Sequence, residues 1–174
     1  MTAAQRRQAI QKLLEQAECP LSASFLAARM GVSRQIVVGD VALLRAGGAV
    51  ILATPRGYMM DRRAPEHPLI VACRHDSGRL QEELYTVVDA GCAVLDVVVE
   101  HPVYGQLSGQ LQVFSRADAD DFCTALKEGG AEPLSRLTDG IHLHTISCPS
   151  GRHRRQVLDA LRLKGFLYGD PPEK

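Results

Sequence analysis

Two histidines one residue apart, His142 and His144, sit in the apolar run Ile141 to Cys148 (IHLHTISC). On a strand this spacing turns both imidazoles to one face, with Cα atoms about 6.5 Å apart, close enough for two ring nitrogens to meet on one ion. Glu83 follows Leu80 by three residues and precedes Val87 by four. On a helix it therefore falls on the flank of the apolar face, where a carboxylate needs a partner, whereas Glu82 projects toward solvent. His75 closes a short apolar run and comes to the sheet end at which that helix starts. Three imidazoles and one carboxylate suit zinc, nickel or a similar divalent transition ion better than magnesium or calcium, which favour all-oxygen shells. Solvated strand histidines meet the same HxH spacing. His101, in His101-Pro-Val-Tyr-Gly105, either caps a turn or, with Tyr104, donates hydrogen bonds in a small-ligand pocket. His67 and His153 read as surface residues. The five cysteines, Cys19, Cys73, Cys92, Cys123 and Cys148, never form CxxC, which argues against a zinc ribbon and a disulfide scaffold and makes them scattered core residues.

These residues need elements to hold them. Leu69 to Cys73 (LIVAC) is short, apolar and strand-like, ending at His75. Asp76 or Ser77 can cap a helix from Arg79 to Ala90 whose stripe is Leu80, Leu84, Val87 and Val88, closed by Gly91. Cys92 to Glu100 is a β-branched run, and Leu107 to Phe114 alternates as its pairing strand. Ser115 caps a helix through Lys127, with Ala117, Phe122, Ala125 and Leu126 expected inward. After the histidine strand, Arg152 to Lys164 forms a last helix, and Phe166 to Tyr168 a short last strand. The basic run Arg152-His153-Arg154-Arg155 opens that helix against its dipole and reads as a solvated face, an anion contact or a subunit contact. The order β-α-β-β-α-β plus α is that of a ferredoxin-like α/β sandwich.

The first sixty residues are different in kind. Ile10, Leu13, Leu14 and Ala17 stripe one helix, which Cys19-Pro20 ends. Ser22 caps a second, Ala23 to Met30, with Phe25, Leu26 and Met30 inward, and Gly31 allows the turn. Ser33 caps a third, with Ile36, Val37, Val41, Leu43 and Leu44 inward, ended by Gly47-Gly48. Ala49 to Ala53, the turn Thr54-Pro55-Arg56-Gly57 and Tyr58 to Met60 make an appended hairpin. Helix, glycine turn, capped helix and hairpin form a winged helix-turn-helix. A helix fits the major groove and reads bases from its first turn, here Ser33, Arg34 and Gln35: Arg pairs with guanine, Gln with adenine and Ser33 suits phosphate. Arg56, at the wing tip, reaches backbone or minor groove. The competing reading is a small three-helix scaffold with ordinary surface charge.

Charge supports the division. The 174 residues carry no net charge, yet through Arg63 nine lysines and arginines face four acids, and the remainder holds 11 bases against 16 acids. A basic first part suits a polyanion. The boundary falls within Asp61 to Pro68, giving a DNA-binding domain over 1–62 and a second domain over 68–174. At 45% hydrophobic and 23% charged, the chain builds a packed core. No apolar stretch approaches the roughly 18 to 20 residues of a membrane helix, and no apolar segment follows Arg6-Arg7 as a signal peptide requires, so a cytoplasmic protein without membrane contact is expected.

Met30 to Arg45 is similar to the winged helix-turn-helix of many bacterial repressors, including the N-terminal part of bifunctional biotin ligases. Val99-Glu-His-Pro-Val-Tyr-Gly105 and Gly140-Ile-His-Leu-His-Thr-Ile146, together with His75 and Glu83, resemble the three-histidine domain of niacin-responsive repressors of the NiaR type, and the resemblance covers nearly the whole chain. It implies a repressor of NAD biosynthesis or niacin uptake genes, dimeric, with nicotinic acid as co-repressor and one divalent metal per chain, zinc or nickel. His75, Glu83, His142 and His144 would be the metal ligands, and His101 belongs to the histidines for which the domain is named. Arg74 departs from the pattern by placing a charge beside His75. Effector contacts are expected at His101 and Tyr104, and the partners are operator DNA, nicotinic acid and a second copy of the chain. The chain reads as a regulator and not an enzyme; the alternative is a metal-dependent hydrolase fused to a DNA-binding module.

Overall fold

A computed structural model describes residues 1–61 and 68–169, so His67 and most of the expected linker lie outside the described residues. The chain divides between Ala64 and Pro65 into two compact units. In the first, α1 (Ala3–Gln16), α2 (Ala23–Met30) and α3 (Arg34–Ala46) precede a hairpin of β1 (Ile51–Thr54) and β2 (Gly57–Met60). Thr2, Ser22 and Ser33 each cap their helix by accepting a backbone N–H, and Gly31 ends α2 in the left-handed conformation that glycine adopts without strain. Ile10, Leu14, Leu26, Val37, Val41 and Ile51 form the core. Phe25, Ile36 and Leu43, expected inward, are exposed. Helix α3 buries only the stripe Val37, Asp40 and Val41, continued by half-buried Leu44, and Ile36 and Leu43 lie on its flanks. Asp40 is held in this stripe by the Arg6 guanidinium at 2.5 Å, with Arg7 at 3.7 Å, so part of the basic balance serves the fold. The wing returns to the helices through paired backbone hydrogen bonds between Leu21 and Tyr58. A Cβ at Gly57 would stand 2.3 Å from the Leu21 carbonyl oxygen, so only glycine lets the wing approach this closely.

The second unit runs β3 (Leu69–Arg74), α4 (Leu80–Asp89), β4 (Ala93–His101), β5 (Gly105–Val113), α5 (Arg116–Glu128), β6 (Ile141–Ser147) and α6 (Gly151–Leu163). Asp76 caps a short 3-10 turn, Ser77–Arg79, which leads into α4. The α+β class and the expected element order hold. The antiparallel sheet, however, is ordered β3-β6-β4-β5, so β6 and β4 are central. A ferredoxin-like sandwich instead centres the first and third strands, and here these, β3 and β5, lie outermost. Both β-α-β units still skip one strand position, and element order alone does not say which strand fills each gap. Leu84, Val87, Val157 and Leu161 of the helices meet Leu69, Val71, Val94, Val113 and Ile146 of the sheet in one core. Helix α5 contributes Ala119 and Cys123, while Ala117 and Ala125, expected inward, are exposed. The expected last strand is one bridge, Leu167 to Cys73, on the open side of β3.

Candidate metal centre

Strand β6 lies between β3 and β4 with His144 opposite both Val71 and Val97, and His142 opposite Cys73. Both imidazoles therefore face the helices, and both are buried. Glu83 enters from the first turn of α4, where the helix dipole favours a carboxylate, and it is fully buried. Its oxygens lie 2.7 Å from His75 Nε2, 3.2 Å from His142 Nε2 and 3.3 Å from His144 Nε2. The structure brings His75, Glu83, His142 and His144 together.

The opposite ring nitrogens are tied to the backbone. His75 Nδ1 is 2.6 Å from the Asp76 carbonyl, His142 Nδ1 2.9 Å from Gly140 and His144 Nδ1 2.6 Å from Asp96. A carbonyl only accepts, so each Nδ1 carries the proton and donates it. In the neutral tautomer all three Nε2 lone pairs then point at a carboxylate that also has only lone pairs to offer. Positive charge must sit among them, as protons on the Nε2 atoms or as a metal ion; carbonyl-anchored imidazoles are the usual support of a ligating histidine. The titration follows the same opposition. Burial alone would push the Glu83 carboxyl up, yet the imidazoles of His144, His142 and His75 hold it well below the usual carboxylate range. Burial disfavours the charged rings of His75 and His144, but Glu83 overrides it and raises both.

Gly140 sets the approach of the β6 start to His75. A Cβ there would lie 2.2 Å from the His75 carbonyl oxygen, and its φ of +87° already favours glycine. Sequence reasoning missed Cys73, whose sulfur lies within 4.8 Å of the ligating atoms of Glu83 and His142. The available signal was its i, i+2 relation to His75. Burial and the Glu83 charge push its thiol pKa up, so it stands beside the cluster as a neutral thiol. Phe166 closes the other side, its ring 5.3 Å from that of His75.

His101 and Tyr104 lie elsewhere. His101 ends β4, four residues and roughly 13 Å of strand beyond Val97. Its Nδ1 accepts from the backbone N–H groups of Val103 and Tyr104 at 3.2 Å each, which closes the turn, and Tyr104 is 74% exposed. A cavity of about 150 Å³, walled by Leu80, Val97, Phe122 and Leu134, instead opens onto His142 and His144. In the first unit Ser33 caps α3 by accepting from Ile36 N–H. Arg34 and Gln35 are exposed beside it, and half-buried Arg56 occupies the wing turn.

A winged helix-turn-helix followed by a unit that buries three imidazoles around one carboxylate defines a DNA-binding regulator. Residues 6–59 match the HTH domain family and residues 68–170 the 3H domain family. The chain is 40% identical over 171 residues to the transcription repressor NadR of Bacillus subtilis, covering 96% of this chain and 95% of that protein. It is 39% identical over 163 residues to the probable transcription repressor NiaR of Thermotoga maritima, covering 94% and 93%. The chain belongs to this family of NiaR-type transcription repressors. The hydrolase alternative gives way to a DNA-binding repressor that is not an enzyme. Among the described residues no helix is long and apolar enough to cross a membrane.

Proposed function

We propose that this repressor holds one divalent transition metal, zinc or nickel, through His75, Glu83, His142 and His144, and that nicotinic acid is its co-repressor on genes of NAD biosynthesis or niacin uptake. One observation carries the reading: three imidazoles, each oriented by a backbone carbonyl through Nδ1, aim Nε2 at a buried carboxylate. Two further positive charges on a bound ion would neutralise Glu83 while leaving the rings uncharged, and a bound metal would supply an electrophilic site for a small carboxylate or a pyridine nitrogen. The cavity beside His142 and His144 suits such a ligand, with largely apolar walls for the ring and the two imidazoles among its polar lining. His101 and Tyr104 close the β4–β5 hairpin and do not line this cavity.

DNA recognition falls to α3, with Arg34 and Gln35 reading bases, Ser33 and the helix start meeting phosphate and Arg56 meeting the adjoining backbone. One winged unit covers one half-site, and a 62–67 linker is too short for a coiled coil, so a homodimer forms through the second unit. The test is operator affinity across a nicotinic acid titration at fixed salt, with nicotinamide as the uncharged comparison, before and after metal removal. Nicotinic acid should tighten the operator complex only in metal-loaded protein. An affinity that stays flat through millimolar nicotinic acid defeats the effector assignment, and less than a tenth of an equivalent of transition metal after reconstitution defeats the metal.

A further inference from the structure

Cys92 immediately precedes β4 and Cys148 immediately follows β6. The β4 and β6 register pairs Ala93 with Ser147, so the two cysteines occupy the next opposed positions. Opposed residues of antiparallel strands have Cα atoms about 4.5 to 5.5 Å apart, within the span of a disulfide. The sulfurs are 2.8 Å apart, with the Cys92 thiol donating to Cys148, and neither is part of a disulfide. The two differ in environment: Cys92 is buried and Cys148 is half-buried, reachable from solvent.

Cys148 also stands just ahead of Ser150, the N-cap of α6, whose basic first turns were unassigned in the sequence. A thiol at a helix N-terminus beside cations is the usual setting of a reactive thiolate. The hydrogen bond from Cys92, with the charge of Arg154 in support, lowers the Cys148 thiol, while that same contact and burial raise Cys92. His153 packs against Gly91, where a Cβ would lie 2.9 Å from its ring, and its carbonyl is 3.7 Å from the Cys92 sulfur. This sets the start of α6 against the segment that carries Cys92 into β4. Cys73 and Cys123 are buried, and burial pushes both thiols up, which leaves them unreactive.

The geometry points to Cys92 and Cys148 as a thiol–disulfide exchange site for oxidised low-molecular-weight thiols, with Cys148 attacking and Cys92 resolving. The Cys148 thiolate attacks one sulfur of a small disulfide RSSR, forming Cys148–S–SR and releasing RS⁻. Cys92 then loses its proton and attacks the Cys148 sulfur, forming the Cys92–Cys148 disulfide and expelling the second RS⁻. The two protons lost by the protein thiols appear on the two RSH products, and the two electrons reduce RSSR. The site lies four residues along the chain from His144, and its chemistry uses no metal ligand, so it gives the repressor an input separate from the buried cluster.

The experiment uses the full chain with the exposed Cys19 replaced (Cys19→Ser), leaving four of the five cysteines, and oxidised glutathione as the probe under anaerobic conditions. Alkylation, intact mass and peptide mapping should show two of the four thiols lost, one cross-link joining Cys92 to Cys148, no retained glutathione and full reversal by dithiothreitol. Adding Cys92→Ser should trap glutathione on Cys148, and Arg154→Gln should slow that trapping several-fold. Cys148→Ser should leave Cys92 unmodified on the same timescale. Four free thiols after prolonged exposure, or glutathionylation of Cys92 in Cys148→Ser as fast as of Cys148 in Cys92→Ser, overturns the assignment.

Discussion

Replacing Glu83 by glutamine keeps the size of the side chain and removes its charge. In metal-free protein the carboxylate meets three Nε2 atoms within 3.3 Å at a fully buried site, so the variant loses up to three charge-assisted contacts. Removing one partner of a buried charged cluster typically costs 3 to 5 kcal/mol, and because glutamine still accepts a hydrogen bond the low end, about 3 kcal/mol, is expected. The cost depends on pH in a definite direction. His75 and His144 are raised, so their contribution is fully present below the unfolded value of 6.5 and fades as pH rises through the folded values. Glu83 is lowered, so its contribution is present above 4.5 and fades as pH falls through its folded value. The stability difference between wild type and Glu83→Gln should therefore be largest between pH 4.5 and 6.5 and shrink on both sides. Urea unfolding of the chelator-treated proteins from pH 3 to 9 measures it. A difference that is flat across this range, or below about 1 kcal/mol at its maximum, refutes the coupling of the carboxylate to the imidazoles. Metal added at a thousand times its dissociation constant should stabilise wild type by about 4 kcal/mol and the variant by much less.

Gly140→Ala places a Cβ against the His75 carbonyl in a backbone conformation with positive φ, so it should cost at least about 2 kcal/mol in denaturant unfolding and lower metal content by elemental analysis. Cys73→Ser should leave metal stoichiometry intact, as should Glu82→Ala, whereas His142→Ala or His144→Ala should abolish it; a Cys73→Ser protein without metal would add the thiol to the ligand set. Arg34→Ala and Gln35→Ala should each remove about 1 to 3 kcal/mol of discrimination between operator and altered sites, while Arg56→Ala should weaken all DNA alike, read from competition binding at fixed salt. Gly39 lies inside α3 with open space around its missing Cβ, so Gly39→Ala should raise stability by up to about 1 kcal/mol in thermal unfolding of the first unit.

What the sequence disclosed about the site, and what it hid, follow one division. His142 and His144 were legible because the strand period of two forces them to one face, and Glu83 because the helical period sets it beside Leu80 and Val87. The anchoring carbonyls of Gly140 and Asp96 were not legible. Their directions depend on a left-handed turn and on a strand irregularity between Val94 and Asp96, neither of which leaves a periodic trace. Cys73 was hidden for another reason: as a small apolar side chain it satisfies a core position equally well with or without a cluster beside it. The flanks of α2, α3 and α5 were misjudged at Phe25, Ile36, Leu43, Ala117 and Ala125, because a helix buries a stripe whose angular position is set by its tertiary neighbours. Strand order escaped for a related reason, since the element order and the hand of the crossovers say neither how many positions are skipped nor which strand enters the gap.

The central position of β6 then explains itself through the cluster. An edge strand would leave His142 and His144 open to water on one side, where solvent would screen the attraction between the imidazoles and Glu83. Between β3 and β4, His144 gains Val71 and Val97 as walls and donates its Nδ1–H to β4 itself, at the Asp96 carbonyl. His142 gains Cys73 on β3 and the Gly140 carbonyl at the start of its own strand. Each neighbour strand thus supplies apolar cover, and the backbone supplies the anchoring acceptors, so that the remaining polar atom of each ring has nowhere to turn but Glu83. Well-packed hydrophobic residues in these positions would generally hold a core together at lower cost than a buried carboxylate ringed by imidazoles. The arrangement spends stability on a concentrated donor set, and a donor set of this composition is useful to the protein chiefly as a place to bind something positively charged.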